Sequence, residues 1–260
     1  MLPLERKQEI IKIIKQDKSV RVTQLSEKYN VTEETIRRDL EKLEKEGILT
    51  RTYGGAVIDE HVSDDPTFVV RSKENIDNKR KIAKYASQLI KDGDTVFLDP
   101  STTALQVAKS IKEDKSVTII TNSVNAVKTL SKNKKFNIIG IGGTLNTRTL
   151  SFEGPIASRF INNYYADKVI FSCKGISKEK GIMDSHEETV EIKNRMIDNA
   201  KQTILVVDES KFDRKALIKV IDFAKVDIIV TDYKLDDEWL EILEKDNIQI
   251  ISGEEAGVSI

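Results

Sequence analysis

Apolar residues recur at helical spacing near the N-terminus, and beyond about residue 78 they gather instead into short unbroken runs. Ile10, Ile13 and Ile14 form one stripe of a helix expected over residues 4–16. The run VTQLSEKY, residues 22–29, carries the apolar pair Val22 and Leu25, and Asn30-Val31 follows as a tight turn. Thr32, a good N-cap, opens a helix on which Ile36, Leu40 and Leu43 fall at i, i+4 and i+7. At about 100° per residue, Arg38 points away from this stripe, Glu34, Thr35, Glu41 and Lys42 flank it, and Arg37 lies at its border. Gly47 stops the helix, residues 48–53 are extended, and Gly54-Gly55 closes the segment. A helix-turn-helix followed by a basic wing is the expected arrangement.

Residues 59–77 hold an acidic run, a proline and no period, so they are expected to link a first domain, residues 1–58, to a second, residues 78–260. In the second domain helix and strand alternate. A helix carrying Ile82, Ala83, Ala86, Leu89 and Ile90 ends at Asp92-Gly93-Asp94. Strands are expected at residues 95–99, 117–121, 136–141, 168–173, 203–208, 226–231 and 248–251, with helices at 102–112, 123–132, 155–163, 188–201 and 238–245. TILVVD and DIIVTD are apolar almost throughout, as strands covered on both faces must be. The fold class is therefore α/β with a mostly parallel sheet.

Ligands of such sheets bind beyond the carboxyl ends of the strands. This chain places polar turns there: Asp99-Pro100-Ser101-Thr102-Thr103, Asn122, Gly142-Gly143-Thr144, Gly175 and Asp208-Glu209-Ser210-Lys211. Hydroxyls and free N–H groups at a helix start suit an anion. A lone Ser-Thr-Thr is ordinarily simple capping, but five polar turns on one predicted edge are harder to dismiss as capping. Arg148, within GGTLNTRTLSFEGP, is either a cation of this edge or a solvated loop residue. Glu187 and Glu188 begin a helix, where carboxylates also favour the N-terminal dipole.

Composition excludes several classes. The 260 residues, 39% hydrophobic, suffice for two domains. Lys and Arg (42) nearly balance Asp and Glu (43), so no global basic field marks a nucleic-acid partner. Residues 1–58 hold twelve basic against ten acidic side chains, so the local placement of Arg37, Arg38 and Arg51 carries the DNA reading. The single cysteine, Cys173 in an apolar run, excludes an internal disulfide framework, and two distant histidines offer no metal-ligand spacing. With no signal-peptide pattern and no apolar run near the ~20 residues of a membrane span, the expected location is the cytoplasm.

The stretch TIRRDLEKLEKEGILTRTYGGA resembles the signature of the DeoR family of bacterial transcription regulators. The resemblance implies a winged helix-turn-helix whose second helix enters the major groove of double-stranded operator DNA. Its contacts would come from Thr23, Thr32, Glu34, Thr35, Arg37, Arg38, Lys42, Arg51, Tyr53 and Gly54. DPSTTA, TN, the GGT loop, KGI, Gly181 and DESKF are, in order, similar to the family's effector domain, which has the fold of ribose-5-phosphate isomerase and the coenzyme A transferases. By position this implies that Ser101, Thr102 and Thr103 cradle the phosphate of a phosphorylated sugar or sugar derivative. Asp99, Asn122, Asp208 and Lys211 would face its hydroxyls or phosphate, with Gly142, Gly143, Gly175, Arg148 and Glu187 around them. Phe68, Arg71 and Asn75 sit where family members carry a docking stretch.

The resemblance implies a regulator, commonly a repressor relieved by its ligand, that controls a carbohydrate-metabolism operon. It would act as a homo-oligomer, dimer or tetramer, with no cofactor and no membrane partner. The residues alone also permit a sugar-phosphate isomerase-like enzyme, with Asp99, Glu187, Asp208 and Lys211 supplying a base and a cation. The N-terminal module, which has no catalytic use, argues against that alternative.

Overall fold

The computed structural model describes residues 2–45, 48–57 and 67–252. The chain divides into two compact units, Met1–Glu74 and Asn75–Ile260.

The first unit runs α1 (Pro3–Asp17), β1 (Ser19–Arg21), α2 (Val22–Tyr29), α3 (Glu33–Lys45), β2 (Thr50–Thr52), β3 (Gly55–Val57) and α4 (Phe68–Lys73). Ile10 and Ile14 of α1, Leu25 of α2, and Ile36, Leu40 and Leu43 of α3 meet in one buried core. Between α2 and α3, Asn30 takes the left-handed conformation with φ 51, which asparagine tolerates better than most side chains. A buried ion pair at 2.6 Å ties Arg6 of α1 to Asp39 of α3. Loss of either partner would strand a buried charge, so the pair fixes α3 on its support.

Three short strands complete the unit in the order β1-β3-β2, all antiparallel. The apolar pattern does not announce β1, because three residues with only Val20 buried carry no readable period. In the wing, Thr52 pairs with Gly55 around a turn at Tyr53-Gly54. Gly54 supplies φ 90 for that turn. Gly55 instead lies in β3, where a Cβ would come within 2.1 Å of the Val20 carbonyl oxygen. The two glycines thus do different work: one turns the chain and the other lets β3 approach β1. The expected helix stop at Gly47 lies outside the described residues, as do residues 59–66 of the linker region. The rest of that region holds α4 and, from Ile76, the start of the next helix.

The second unit runs α5 (Ile76–Ala86), β4 (Thr95–Leu98), α6 (Thr102–Ser110), β5 (Thr118–Thr121), α7 (Val124–Leu130), β6 (Asn137–Gly140), β7 (Thr144–Asn146), β8 (Ser151–Glu153), α8 (Pro155–Ile161), β9 (Ala166–Phe171), β10 (Gly175–Ser177), β11 (Gly181–Asp184), α9 (Glu187–Asp198), β12 (Ala200–Val207), β13 (Ile218–Ile221), β14 (Ile228–Thr231), α10 (Asp237–Lys245) and β15 (Gln249–Ser252). Seven strands form a wholly parallel sheet in the order β15-β14-β12-β9-β4-β5-β6. Its central strands are buried on both faces, which explains the unbroken apolar runs. The chain winds outward from β4 through β5 to β6, then returns to β9 on the other side of β4. The topological switch therefore lies between β4 and β9, where open parallel sheets form their ligand crevice.

Two antiparallel additions were not expected from the sequence: the hairpin β7-β8 and the small sheet β10-β11-β13. Both consist of strands of three or four residues, too short for periodicity to register. Residues 200–201, expected at the end of a helix, already belong to β12.

Candidate functional site

In the first unit, α3 presents its outer face as a row of paired charges. Arg37 donates to Glu33 at 2.5 Å and Arg38 to Glu34 at 3.2 Å, each one helical turn away. Arg51 of β2 donates to Glu44 at 2.8 Å, and the Glu44 carboxylate also accepts the Arg51 backbone N–H at 2.9 Å. The bond to Glu44 raises the Arg51 pKa further, keeping the wing cationic. The two i,i+4 pairs within α3, Arg37–Glu33 and Arg38–Glu34, are exposed, and pairs of that kind contribute only about 0.3–0.5 kcal/mol. Thr32 accepts the Thr35 N–H at 3.3 Å and shares a 2.9 Å hydroxyl contact with it, setting the start of α3. Thr23, Lys42, Tyr53 and Gly54 are exposed.

In the second unit, the polar turns gather at the carboxyl edge of the sheet. Ser101 caps α6, its hydroxyl accepting the Ala104 N–H at 3.1 Å, and Thr102 and Thr103 are buried in the first turn. On the β5 side, Asn122 donates from Nδ2 to the Phe152 carbonyl at 2.9 Å, while its Oδ1 is buried without a donor. On the β12 side, Asp208 accepts at Oδ1 from the Ser210 N–H at 3.1 Å and from Asn75 at 3.2 Å, while its Oδ2 is buried without a donor. Lys211 is half-buried in the same turn, its N–H on the Asp208 carbonyl at 3.0 Å. Asp232, at the end of β14, has its carboxyl pKa raised by burial and by the neighbouring charges of Asp208 and Glu209, against the lowering effect of the Glu209 N–H.

Asp99 differs from expectation. It is 1% exposed. Its Oδ1 accepts the Ser101 N–H at 3.0 Å, and its Oδ2 accepts the Ser172 N–H at 3.1 Å and stands 3.4 Å from the Lys193 ammonium. Both oxygens serve the protein, so Asp99 shapes the β4 turn across the switch point and does not face outward. Glu187 is exposed at the first position of α9. Gly142 is open, whereas Gly143, at φ 152, would place a Cβ 2.6 Å from the Glu153 carbonyl oxygen. Gly175 is needed for packing, because a Cβ there would meet the Arg214 carbonyl oxygen at 2.1 Å. Arg148 is half-buried, with its N–H on Asn146 at 3.0 Å.

The pattern of polar turns gave no notice of Lys193. From α9 its buried ammonium donates to the Ser172 carbonyl and to Asp184, each at 2.5 Å. Burial alone would lower its pKa, but Asp184 and Asp99 more than reverse this and raise it. Burial likewise pushes Asp184 up, yet the Lys193 charge and hydrogen bond hold it below its ordinary value. One cation thus joins the β4 turn, the end of β9 and β11.

With both sites in view, comparison with known proteins decides the family. The DeoR-like helix-turn-helix domain matches residues 6–62, and the DeoR C terminal sensor domain matches residues 74–233. The chain belongs to the DeoR family. It is similar to the uncharacterized HTH-type transcriptional regulator YulB of Bacillus subtilis (strain 168), 40% identical over 96% of each chain. It is also similar to the HTH-type transcriptional repressor GlcR of the same organism, 32% identical over 96% of each. Among solved structures it is similar to ribose 5-phosphate isomerase A from Methanocaldococcus jannaschii, 21% identical, with TM-score 0.40 over 54% of this chain and 55% of that one.

This DeoR-family chain is accordingly a DNA-binding transcriptional regulator with a C-terminal sensor domain, not an enzyme. In the sensor domain the sequence did carry one signal for Lys193. A lysine interrupts the apolar stripe of α9 between Val190 and Ile197, where a charged residue is retained only if it finds partners. Asn75, expected only as part of a docking stretch, is bonded to a turn 133 positions away, which no local pattern reveals.

Proposed function

We propose that this regulator represses a carbohydrate-metabolism operon and is controlled by a phosphorylated sugar or sugar derivative bound at the carboxyl edge of the sensor sheet. The observation that carries the reading is the pair of buried, donorless oxygens, Asn122 Oδ1 and Asp208 Oδ2, on opposite flanks of the switch point. A buried acceptor left without a donor costs about 1–3 kcal/mol, and sugar hydroxyls are donors of the right kind. Between the two flanks lies the start of α6, with Ser101 as its cap and Thr102 and Thr103 in its first turn, and a helix N-terminus favours an anion. Strands lie about 4.8 Å apart, so Asn122 stands roughly one strand step from the α6 start on one side and Asp208 roughly two on the other. Lys211 and Arg148 are the cations assigned to its phosphate.

On the DNA side, α3 enters the major groove with Thr35, Arg37 and Arg38, and the wing brings Arg51, Tyr53 and Gly54 to the backbone. A homo-oligomer places two such modules on paired half-sites. The test is calorimetric titration of a panel of phosphorylated hexoses, pentoses, trioses and amino sugars against wild type and Lys211→Ala. One member should bind wild type and lose at least about tenfold in affinity with the variant, as for a charged hydrogen bond of about 1.5–3 kcal/mol. Failure of the whole panel to bind would overturn the effector assignment.

A further inference from the structure

We propose that Asn75 is a positioning residue that carries the state of the Asp208 turn to the junction between the two units. The proposal rests on the effector reading above only for what arrives at Asp208. Asn75 is the first residue of the second unit and the N-cap of α5. An asparagine there normally caps its own helix. Here the side chain makes no capping bond, and the residue sits in the left-handed region at φ 49. Its Nδ2 donates instead to Asp208 Oδ1 at 3.2 Å and to Ser210 Oγ at 3.3 Å. The local role has been given up for a distant one.

Asp208 is 1% exposed, and its two oxygens are unequal. Oδ1 takes Asn75 together with the Ser210 N–H and hydroxyl, while Oδ2 takes nothing. A hydroxyl donor reaching Oδ2 fixes the carboxylate plane and draws charge from Oδ1, so it changes the hold on Asn75. The Asn75 carbonyl in turn accepts the Lys79 N–H at 3.0 Å, so the same residue sets the first turn of α5. Hinges are commonly one or a few such element-terminal residues that absorb a change in φ and ψ. By linkage, whatever Asp208 binding does to Asn75, Asn75 does to Asp208 binding.

The test uses the full-length protein and a duplex selected from a random library by the wild type. Without ligand, operator affinity is measured for Asn75→Gly, Asp208→Ala and the double variant. Glycine keeps the left-handed backbone and removes the amide. Each single change should shift the operator Kd in the same direction by at least about threefold, and the double should shift it no further than the larger single. Asn75→Asp, which keeps the backbone preference but sets a carboxylate against Asp208, should reproduce Asn75→Gly. Wild-type affinity in both Asn75 variants, or effects that multiply in the double, would overturn the proposal.

In a second arm, glucose 6-phosphate and ribose 5-phosphate are titrated against each protein on the operator. A shift seen in wild type should shrink by at least about threefold in Asn75→Gly. An equal shift in both proteins removes Asn75 and leaves the effector reading standing. No shift in wild type, with a non-additive cycle in the first arm, removes those two sugars as effectors and leaves Asn75 standing.

Discussion

Lys193 has three oxygen partners and almost no exposure to solvent, so its charge is held by the fold and holds the fold in return. Lys193→Met would leave Asp184 and Asp99 buried without their cation, and the expected loss is about 3–5 kcal/mol of unfolding free energy in urea titrations. The pH dependence follows from the shifts. The depressed Asp184 contributes stability that is present above the ordinary carboxylate range and lost as pH falls through its folded value. The raised Lys193 contributes stability that is present below the ordinary lysine value and lost as pH rises through its folded one. The gap between wild type and Lys193→Met should therefore be flat from about pH 5 to 9 and close in acid. A gap unchanged at pH 3 would contradict this account of the network. Nearby, burial pushes the Cys173 thiol up to about 12. It should resist iodoacetamide at neutral pH and react only as fast as the protein unfolds.

At the scale of elements, the arginines of α3 and the wing already hold carboxylates. Replacing Arg38 by Ala should weaken operator binding by about 1–3 kcal/mol if it reads a base edge. Glu34→Gln frees Arg38 without removing it, so affinity for non-operator DNA should rise and the ratio of operator to non-operator binding should fall. Competition titrations at fixed salt measure both. Gly55→Ala has another consequence, because its methyl group meets the Val20 carbonyl. The first unit should lose thermal stability even though no DNA contact is touched.

How far such elements can be read from sequence depends on their length and on where their partners lie. The α3 stripe and the seven sheet strands declare themselves through helical spacing and apolar runs. β1, β7, β10 and the pairing of Gly55 with Arg21 do not, because a three-residue strand exists only through its neighbours. The polar turns were legible as a set. The inward commitment of Asp99 and the donors missing from Asn122 and Asp208 were not, since both depend on backbone groups brought from other strands.

For the molecule as a whole, a DNA-reading unit and a sensor unit in one chain make sense only if occupancy of one alters the affinity of the other. The DNA side alone predicts that operator affinity falls steeply with salt, by about 0.9 per neutralised phosphate on a double-logarithmic plot. A flat response would contradict groove binding by Arg37, Arg38 and Arg51. Coupling between the units is the central claim, and titrating the phosphosugar panel against the protein–operator complex tests it most directly. One member should change the operator Kd by about 5- to 150-fold, in the direction of release, and Lys211→Ala should abolish that response. An operator affinity that no phosphosugar moves would contradict the account.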